Sequence, residues 1–457
     1  MSTNKKIVIL GAGITGLTTA YLLHKKGFDI TVLEKNSEPG GSMESIWVDG
    51  NLFDRGPNSG LETTPLIGEI VKELNLKDEM LYGSKEADKR YILRNNQLHP
   101  LPMNPPALIK TKLFSARAKL RLFAEPLIGR SKDGYYQSVA DFVKRRLGQE
   151  FLDYAINPFV AGVYAGDPEQ LSVKSAFPKL YALEEKYGGL IIGTIKSIKE
   201  RKRRAEKSKQ DAKMFSFKNG MQSFPLALAD ALKGMVITNA DVTSVEKQNS
   251  VYKVVYNHAG ELKTIESPLI FSTVPAYTAA SLFKKFDAKL AEHLNQVYYP
   301  PVLALYLVYN KKDIGHSLDG FGFLVPKKEK KSFLGALWSS VIFPNRTDPD
   351  KAAFTIFIGG SREPEIEKYD KELLIKKVKN EFHELMKIKA EPLLMAERFW
   401  HKAIPQYNIG YIEHERYFDQ FEKNYPGIFL GGNYRGGISV GDCIKSSGEM
   451  ALKINNA

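Results

Sequence analysis

The apolar run over 7–10, set between a polar lead and a glycine cluster, predicts a buried strand near the start of the chain. A helical pattern follows over 17–26, Gly27 ends it, and 28–34 predicts a second strand, completing a β-α-β unit. Residues 65–77 place Leu66, Ile67, Ile70, Val71 and Leu74 on one helical face. The texture changes at 101: a stretch rich in Pro, Leu, Phe, Lys and Arg leads into a capped amphipathic helix over 138–147 and a mainly helical region to 200. Strands are predicted at 235–238, 250–256 and 269–274, then at 301–309, 322–326, 333–341 and 353–358. An amphipathic helix over 371–388 turns Leu374, Val378, Phe382 and Leu385 inward. A strand at 428–430 enters a second glycine turn before a final helix. Nucleotide-type elements thus sit at both ends and near 215–275, so the domains are expected to be discontinuous.

The first glycine cluster changes this picture most. Gly11-Ala12-Gly13-Ile14-Thr15-Gly16 follows a strand and opens a helix. Gly11 allows the tight turn, Gly13 lets a pyrophosphate approach the backbone, and Gly16 permits close helix–strand packing. The free N–H groups and the helix dipole there favour phosphate. Glu34 ends the second strand 18 residues after Gly16, where a carboxylate accepts from ribose hydroxyls. Further glycines, Gly40-Gly41 and then Gly431-Gly432-Asn433 with Gly436, Gly437 and Gly441, suit a cofactor more extended than NAD. FAD is the expected cofactor.

At 457 residues the chain exceeds one typical core, and its 43% hydrophobic content argues against disorder. One cysteine, Cys443, excludes an internal disulfide framework and a multi-cysteine metal site. His383-Glu384 begins like a zinc-protease signature, but Lys387 stands where the second histidine is needed, and no metal site is expected. The net charge of +13 suits anionic lipid, nucleic acid or acidic small molecules. No nucleic-acid module accompanies it, so no nucleic-acid partner is expected. Over 101–130, Leu108, Ile109, Leu113, Phe114, Leu120, Leu122 and Phe123 alternate with Lys110, Lys112, Arg117, Lys119 and Arg121. Such a segment suits a bilayer interface, and equally a helical lobe with a solvated basic face. The stretch 196–213 holds nine basic and three acidic residues and reads as solvated. No leader peptide or membrane-spanning run is recognised, so the expected location is the cytoplasm, peripheral to the cytoplasmic membrane.

Asn157-Pro-Phe-Val-Ala-Gly-Val-Tyr-Ala-Gly-Asp-Pro168, with Leu171-Ser172 and Phe177-Pro178, resembles a block of the protoporphyrinogen/coproporphyrinogen oxidase family, most closely its plant-mitochondrial type. Phe215–Gln222, Gly320–Pro326, Phe357–Arg362 and Gly431–Gly441 are similar to further blocks, in order along nearly the whole chain. The resemblance implies an α/β plus α molecule. Its parts would be a discontinuous Rossmann-like FAD domain (1–85, 214–275, 400–457), a mixed-sheet substrate domain (86–100, 276–399) and a helical membrane-binding domain (101–213). It implies oxidation of a porphyrinogen by six electrons through FAD to dioxygen, with release of porphyrin and hydrogen peroxide, in haem synthesis. For the substrate it implies Arg90 against a propionate, Leu324, Leu337 and Phe357 around the macrocycle, and Gly193 in a helix beside it. For FAD it implies Gly11, Gly13, Ile14, Thr15, Gly16, Glu34, Lys35, Gly40, Gly41, Gly56, Pro57, Asn58, Val242, Gly432, Asn433, Ile438, Ser439 and Val440. Ser42 departs from the pattern, standing where many relatives carry a basic residue near the phosphates.

No acid–base pair is assigned, because the cofactor supplies the electron sink while the protein positions the ring and excludes competing reactions. Without the resemblance, Leu324, Leu337 and Phe357 read as plain core, and Arg90 as a surface arginine. Protoporphyrinogen IX is the expected substrate. The alternatives are coproporphyrinogen III, an amine or carotenoid oxidoreductase on the same fold, and a non-catalytic flavin-containing tetrapyrrole carrier. A homodimer is left open.

Overall fold

The computed structural model describes residues 5–204 and 212–456, so 205–211 of the basic tract within 196–213 lie outside it. A five-stranded, all-parallel sheet takes its strands from across the chain. Its order is Val236–Ile237, Asp29–Leu33, Lys6–Leu10, Leu269–Ser272 and Ile428–Leu430. Ile7 to Leu10 are all fully buried, as a central strand covered on both faces requires. Ile7 and Ile9 join the core under the first helix, Ile14–His24, and the last, Val440–Asn455. Val8 and Leu10 face the other way, toward an antiparallel sheet of Ala240–Gln248, Val251–His258 and Glu261–Ser267. Ser447 Oγ donates to the Thr15 carbonyl at 3.1 Å, so the two ends of the chain close one cofactor-type layer.

A seven-stranded mixed sheet lies beyond it, ordered Leu394–Trp400, Val302–Asn310, Lys351–Gly359, Gly335–Leu337, Gly322–Leu324, Arg90–Arg94 and Gln97–Pro100. One face carries Leu303, Leu305, Leu307, Phe323, Phe354, Ile356 and Ile358 against Val378 and Phe382 of the Lys371–Met386 helix. The expected strand over 333–341 stops at Leu337, and Ser339–Ile342 is a short helix. Ser340 Oγ accepts from the Ala353 N–H at 3.0 Å, so a side chain replaces the ladder there.

A buried ion pair, Arg346 with Asp54 at 2.8 Å, ties the turn before Lys351–Gly359 to the Asn51–Asp54 strand and also takes in Ser216 of the Met214–Phe217 strand. Residues 101–204 are helical, including Pro105–Lys110, Ala116–Phe123, Val139–Arg146, Asn157–Tyr164, Pro178–Tyr187 and Leu190–Arg204. Arg146 is fully buried among them between Glu125, at 2.7 Å, and Glu184. Glu125 also accepts the N–H groups of Leu190 and Ile191, capping the helix that begins there. Among the described residues no helix is long and apolar enough to cross a membrane.

Candidate active site

The strand before Gly11 and the helix after Gly16 are pressed together: a Cβ on Gly16 would lie 2.1 Å from the Gly11 carbonyl oxygen. Gly13 is the opposite case, with nothing within 4 Å of where its Cβ would stand. The turn is therefore tight where helix meets strand and open where a pyrophosphate would approach, which fits a dinucleotide. Glu34 is buried at the end of its strand, accepting from the Ala12 N–H at 2.7 Å and the Asn36 N–H at 2.9 Å. Each carboxylate oxygen keeps a lone pair for a ribose hydroxyl. Lys35 is exposed and pairs with Asp241 at 3.5 Å, and the Ala240 N–H donates to the Glu34 carbonyl. Val242 therefore stands close to Glu34 and Lys35 on the neighbouring strand.

A line of close backbone contacts runs from this turn to the mixed sheet. Gly40 donates to the Ala12 carbonyl, and a Cβ on Gly41 would stand 3.2 Å from the Gly13 Cα. Gly56 lies on the next residue, Ser42, so closely that a Cβ would fall 1.7 Å from its carbonyl oxygen. Beyond Pro57, Asn58 Oδ1 accepts from Thr355 Oγ1 at 3.4 Å. Tyr306 Oη and Trp400 Nε1 donate to the Asp54 and Arg55 carbonyls and pin this segment to the sheet. The second glycine turn meets the first at Thr273, whose hydroxyl donates to the Leu10 carbonyl at 2.9 Å while Gly432 packs on its backbone. Tyr407 Oη donates to the Asn433 carbonyl at 2.7 Å and accepts from Gly437 N–H, shaping the approach to Ile438. Ser439 caps the last helix and Val440 begins it.

The second face of the mixed sheet is built in two cross-strand rows. One runs Ala396, Tyr306, Thr355, Leu337, Gly322, Arg90. The next runs Arg398, Ala304, Phe357, Gly335, Leu324, Ile92. Directly paired residues share a face, so Arg90, Leu324, Leu337 and Phe357 all project to one side. Glycines and alanines stand between them and keep the shelf low. The hairpin of Ser45–Val48 and Asn51–Asp54 covers one end, with Phe53 packed on Tyr306 at 5.0 Å. The Asn157–Tyr164 helix approaches the other. Between them Leu324, Leu337 and Phe357 remain only partly buried. Arg90 is exposed at the rim, its guanidinium 5.3 Å from the Phe321 ring centre, with no carboxylate paired to it among the described residues. Its neighbour Lys89 is held by Asp319, and Arg398 leans toward Glu44 at 3.7 Å.

The structure does not bring Gly193 to this shelf. It is buried between helices, where a Cβ would lie 2.9 Å from Leu183. The glycine that does face the shelf is Gly162: a Cβ there would stand 2.6 Å from Leu324 Cδ2. Phe159 and Val163, its neighbours on that helix, keep 46% and 41% of their surface exposed. The spacing 159, 162, 163 is a helical face and was the available signal, although the residues stood out only as part of a longer block. Cys443 is buried at the second glycine turn, and burial pushes its thiol up to about 11, which suits packing rather than nucleophilic chemistry.

The model for flavin-containing amine oxidoreductases matches residues 14–454. The chain is 32% identical to protoporphyrinogen oxidase 2 of Arabidopsis thaliana, over 98% of this chain and 93% of that one. The chain belongs to the porphyrinogen oxidase family of flavoenzymes. A rice protoporphyrinogen oxidase is 34% identical over 98% of this chain and 88% of its own length. Coproporphyrinogen III oxidase of Bacillus subtilis is 27% identical over 99% and 98%. Among solved structures, putrescine oxidase bound to putrescine superposes with a TM-score of 0.71 at 15% identity, covering 99% of each chain. A provisionally assigned protoporphyrinogen oxidase from Exiguobacterium sp. 255-15 superposes with a TM-score of 0.81 at 22% identity, covering 100% of this chain and 99% of that one. These likenesses carry the fold: a parallel FAD-binding sheet with a mixed substrate-domain sheet. As a flavoenzyme of this family the chain uses FAD, which supplies a two-electron acceptor when bound.

Proposed function

We propose that the protein oxidises protoporphyrinogen IX to protoporphyrin IX with dioxygen as final acceptor, releasing hydrogen peroxide. The observation that carries this reading is the shelf of Leu324, Leu337 and Phe357 with Arg90 at its rim, paired with no carboxylate among the described residues. A flat macrocycle needs apolar walls, and a guanidinium can hold one propionate by two parallel hydrogen bonds. The contacts from Gly13 through Gly41, Ser42, Gly56 and Asn58 to Thr355 support an arrangement in which the cofactor's ring end lies beside that shelf. On this reading the chain's own residues orient the ring and exclude water, while no side chain serves as an obligatory acid or base.

Coproporphyrinogen III is the second reading, since relatives of both kinds match over nearly the full chain. It carries propionates where protoporphyrinogen IX has vinyl groups, so it calls for more free cations around the shelf. On the two rows the cations are Arg90 and Arg398, and Arg398 lies near Glu44, which favours the less acidic ring. Side-by-side initial rates decide between them. A higher kcat/KM on protoporphyrinogen IX is expected, and a preference for coproporphyrinogen III would overturn the choice of substrate without touching the chemistry. The exposed apolar residues of the helical region support membrane attachment as part of the same reading.

A further inference from the structure

Two consecutive residues beyond the shelf hold the Asn157–Tyr164 helix at both of its ends. The Ser361 N–H donates to the Ala165 carbonyl at 2.7 Å, just past the C-terminal end. Arg362 takes the N-terminal end: Nη2 donates to Asn157 Oδ1 at 2.8 Å and to the Asn157 carbonyl at 3.1 Å. Its Nη1 donates to the Val325 carbonyl at 2.6 Å, one residue beyond Leu324. Asn157 Oδ1 also accepts the Lys327 N–H at 2.9 Å, which fastens the same point to the turn after the Gly322–Leu324 strand. Phe357 lies five residues before Arg362 in the chain. One guanidinium therefore touches the helix and the backbone next to Leu324, and it is covalently close to Phe357.

We propose that Arg362 is a positioning residue that sets the gap between this helix and the shelf, and thereby the fit of the macrocycle. The inference rests on the porphyrinogen reading above. Among the described residues no carboxylate pairs with Arg362; its partners are neutral oxygens. Such bonds gain less than an ion pair, so what the planar fork contributes is fixed geometry. The gap is sensitive because Gly162 faces Leu324 across it, where an added Cβ would stand 2.6 Å from Leu324 Cδ2. Displacing the helix by a fraction of an ångström alters that contact directly, and packed walls do not absorb such shifts at no cost. The cofactor turns lie on the other sheet and are not touched by Arg362, so the effect belongs to the substrate and not to the flavin.

The test is steady-state kinetics of the FAD-loaded enzyme and its variants on protoporphyrinogen IX and coproporphyrinogen III, with flavin content measured for each. For Arg362→Gln, KM on the preferred porphyrinogen rises roughly tenfold while kcat stays within about twofold and flavin content is unchanged. Asn157→Ala behaves the same way. Asn157→Asp, which keeps both acceptor roles, returns KM close to that of the parent. Arg362→Gln combined with Asn157→Ala raises KM by less than the product of the two single effects, because both changes break the Arg362–Asn157 Oδ1 bond. Should Arg362→Gln prove too unstable to purify, the Asn157→Ala and Asn157→Asp pair decides the matter. Unchanged KM in the single variants, with or without a fall in stability, overturns the proposal and leaves Arg362 a residue of the fold alone. A parent enzyme inert toward both porphyrinogens is a different result: it removes the functional reading, and the clamp with it.

Discussion

At the scale of single residues, two glycines of one turn, one crowded and one open, make the sharpest pair of predictions. Gly16→Ala drives a methyl into the Gly11 carbonyl, so both folding and flavin binding are lost. Gly13→Ala meets no protein atom and has an extended backbone that alanine accepts. Its apoprotein should keep its stability within about 0.5 kcal/mol while flavin binding falls. Thermal melts of the apoproteins alongside flavin titration check both, and normal flavin affinity in Gly13→Ala would contradict the placement of the pyrophosphate. Arg90→Ala should raise KM for the porphyrinogen roughly ten- to a hundredfold, the worth of a charge-assisted hydrogen bond, with flavin content unchanged. Unaltered kinetics would remove Arg90 from the site. Glycine roles of this kind were legible because each rests on a local turn. Gly162 does not stand out in the sequence for the complementary reason: which helix faces Leu324 is a tertiary fact, and the sequence around 193 and around 162 is equally helical.

At the scale of elements, the long strands and helices followed from period and apolar content, while the short ones did not. The strand over 302–310 is buried on both faces and its continuous apolar run announced it. Of the three-stranded sheet over 240–267, only the middle strand is legible in the sequence, as the expected strand over 250–256. Its two turns depend on Asn249, Ala259 and Gly260 with positive φ, a signal weaker than an Asn-Gly pair. The basic stretch after 101 had two equal readings, and the structure gives each residue a side. Leu113 and Phe114 are buried, Phe114 stacked on Phe151 at 4.2 Å. Ile109, Leu120, Phe123 and Leu127 are exposed at 63%, 70%, 63% and 87%. The first three line an apolar cleft of about 260 Å³ together with Leu108, Ala116 and Lys119. An apolar patch rimmed by lysine and arginine suits an anionic bilayer surface. Leu120→Glu with Leu127→Glu should therefore reduce co-flotation with vesicles containing anionic lipid and leave turnover of dissolved substrate unchanged. A parent protein that ignores such vesicles would contradict the attachment.

At the scale of the whole molecule, the discontinuous arrangement was legible from glycine turns at both ends, but the joints between sheets were not. Arg346 and Asp54 are separated by 292 residues, and nothing local marks either as a partner. Nor does sequence reveal that five histidines, His99, His293, His316, His383 and His414, are held below the ordinary imidazole value by burial. Their folded-state values lie under those of the unfolded chain, near 6.5, so the unfolded chain takes up protons first as pH falls. Stability is complete above about 6.5 and declines below it. His293 and His414 share one Nδ1–Nδ1 hydrogen bond at 3.0 Å, which needs at least one neutral ring. Asp54 and Glu415, raised by burial, act in the opposite direction, two groups against five. Asp319, held near 2 chiefly by Lys89 and Tyr91, matters only in much stronger acid. The melting temperature should thus be lower at about pH 5.5 than at about pH 7.5; a flat or rising profile would contradict this account of the histidines.

The whole account places a flavin beside an apolar shelf that admits a tetrapyrrole. Anaerobic addition of protoporphyrinogen IX to the flavin-loaded protein tests that placement most directly. The account predicts loss of the yellow flavin absorbance, growth of porphyrin fluorescence, and return of the yellow colour with peroxide when air is readmitted. A flavin that stays oxidised in the presence of both protoporphyrinogen IX and coproporphyrinogen III would contradict it.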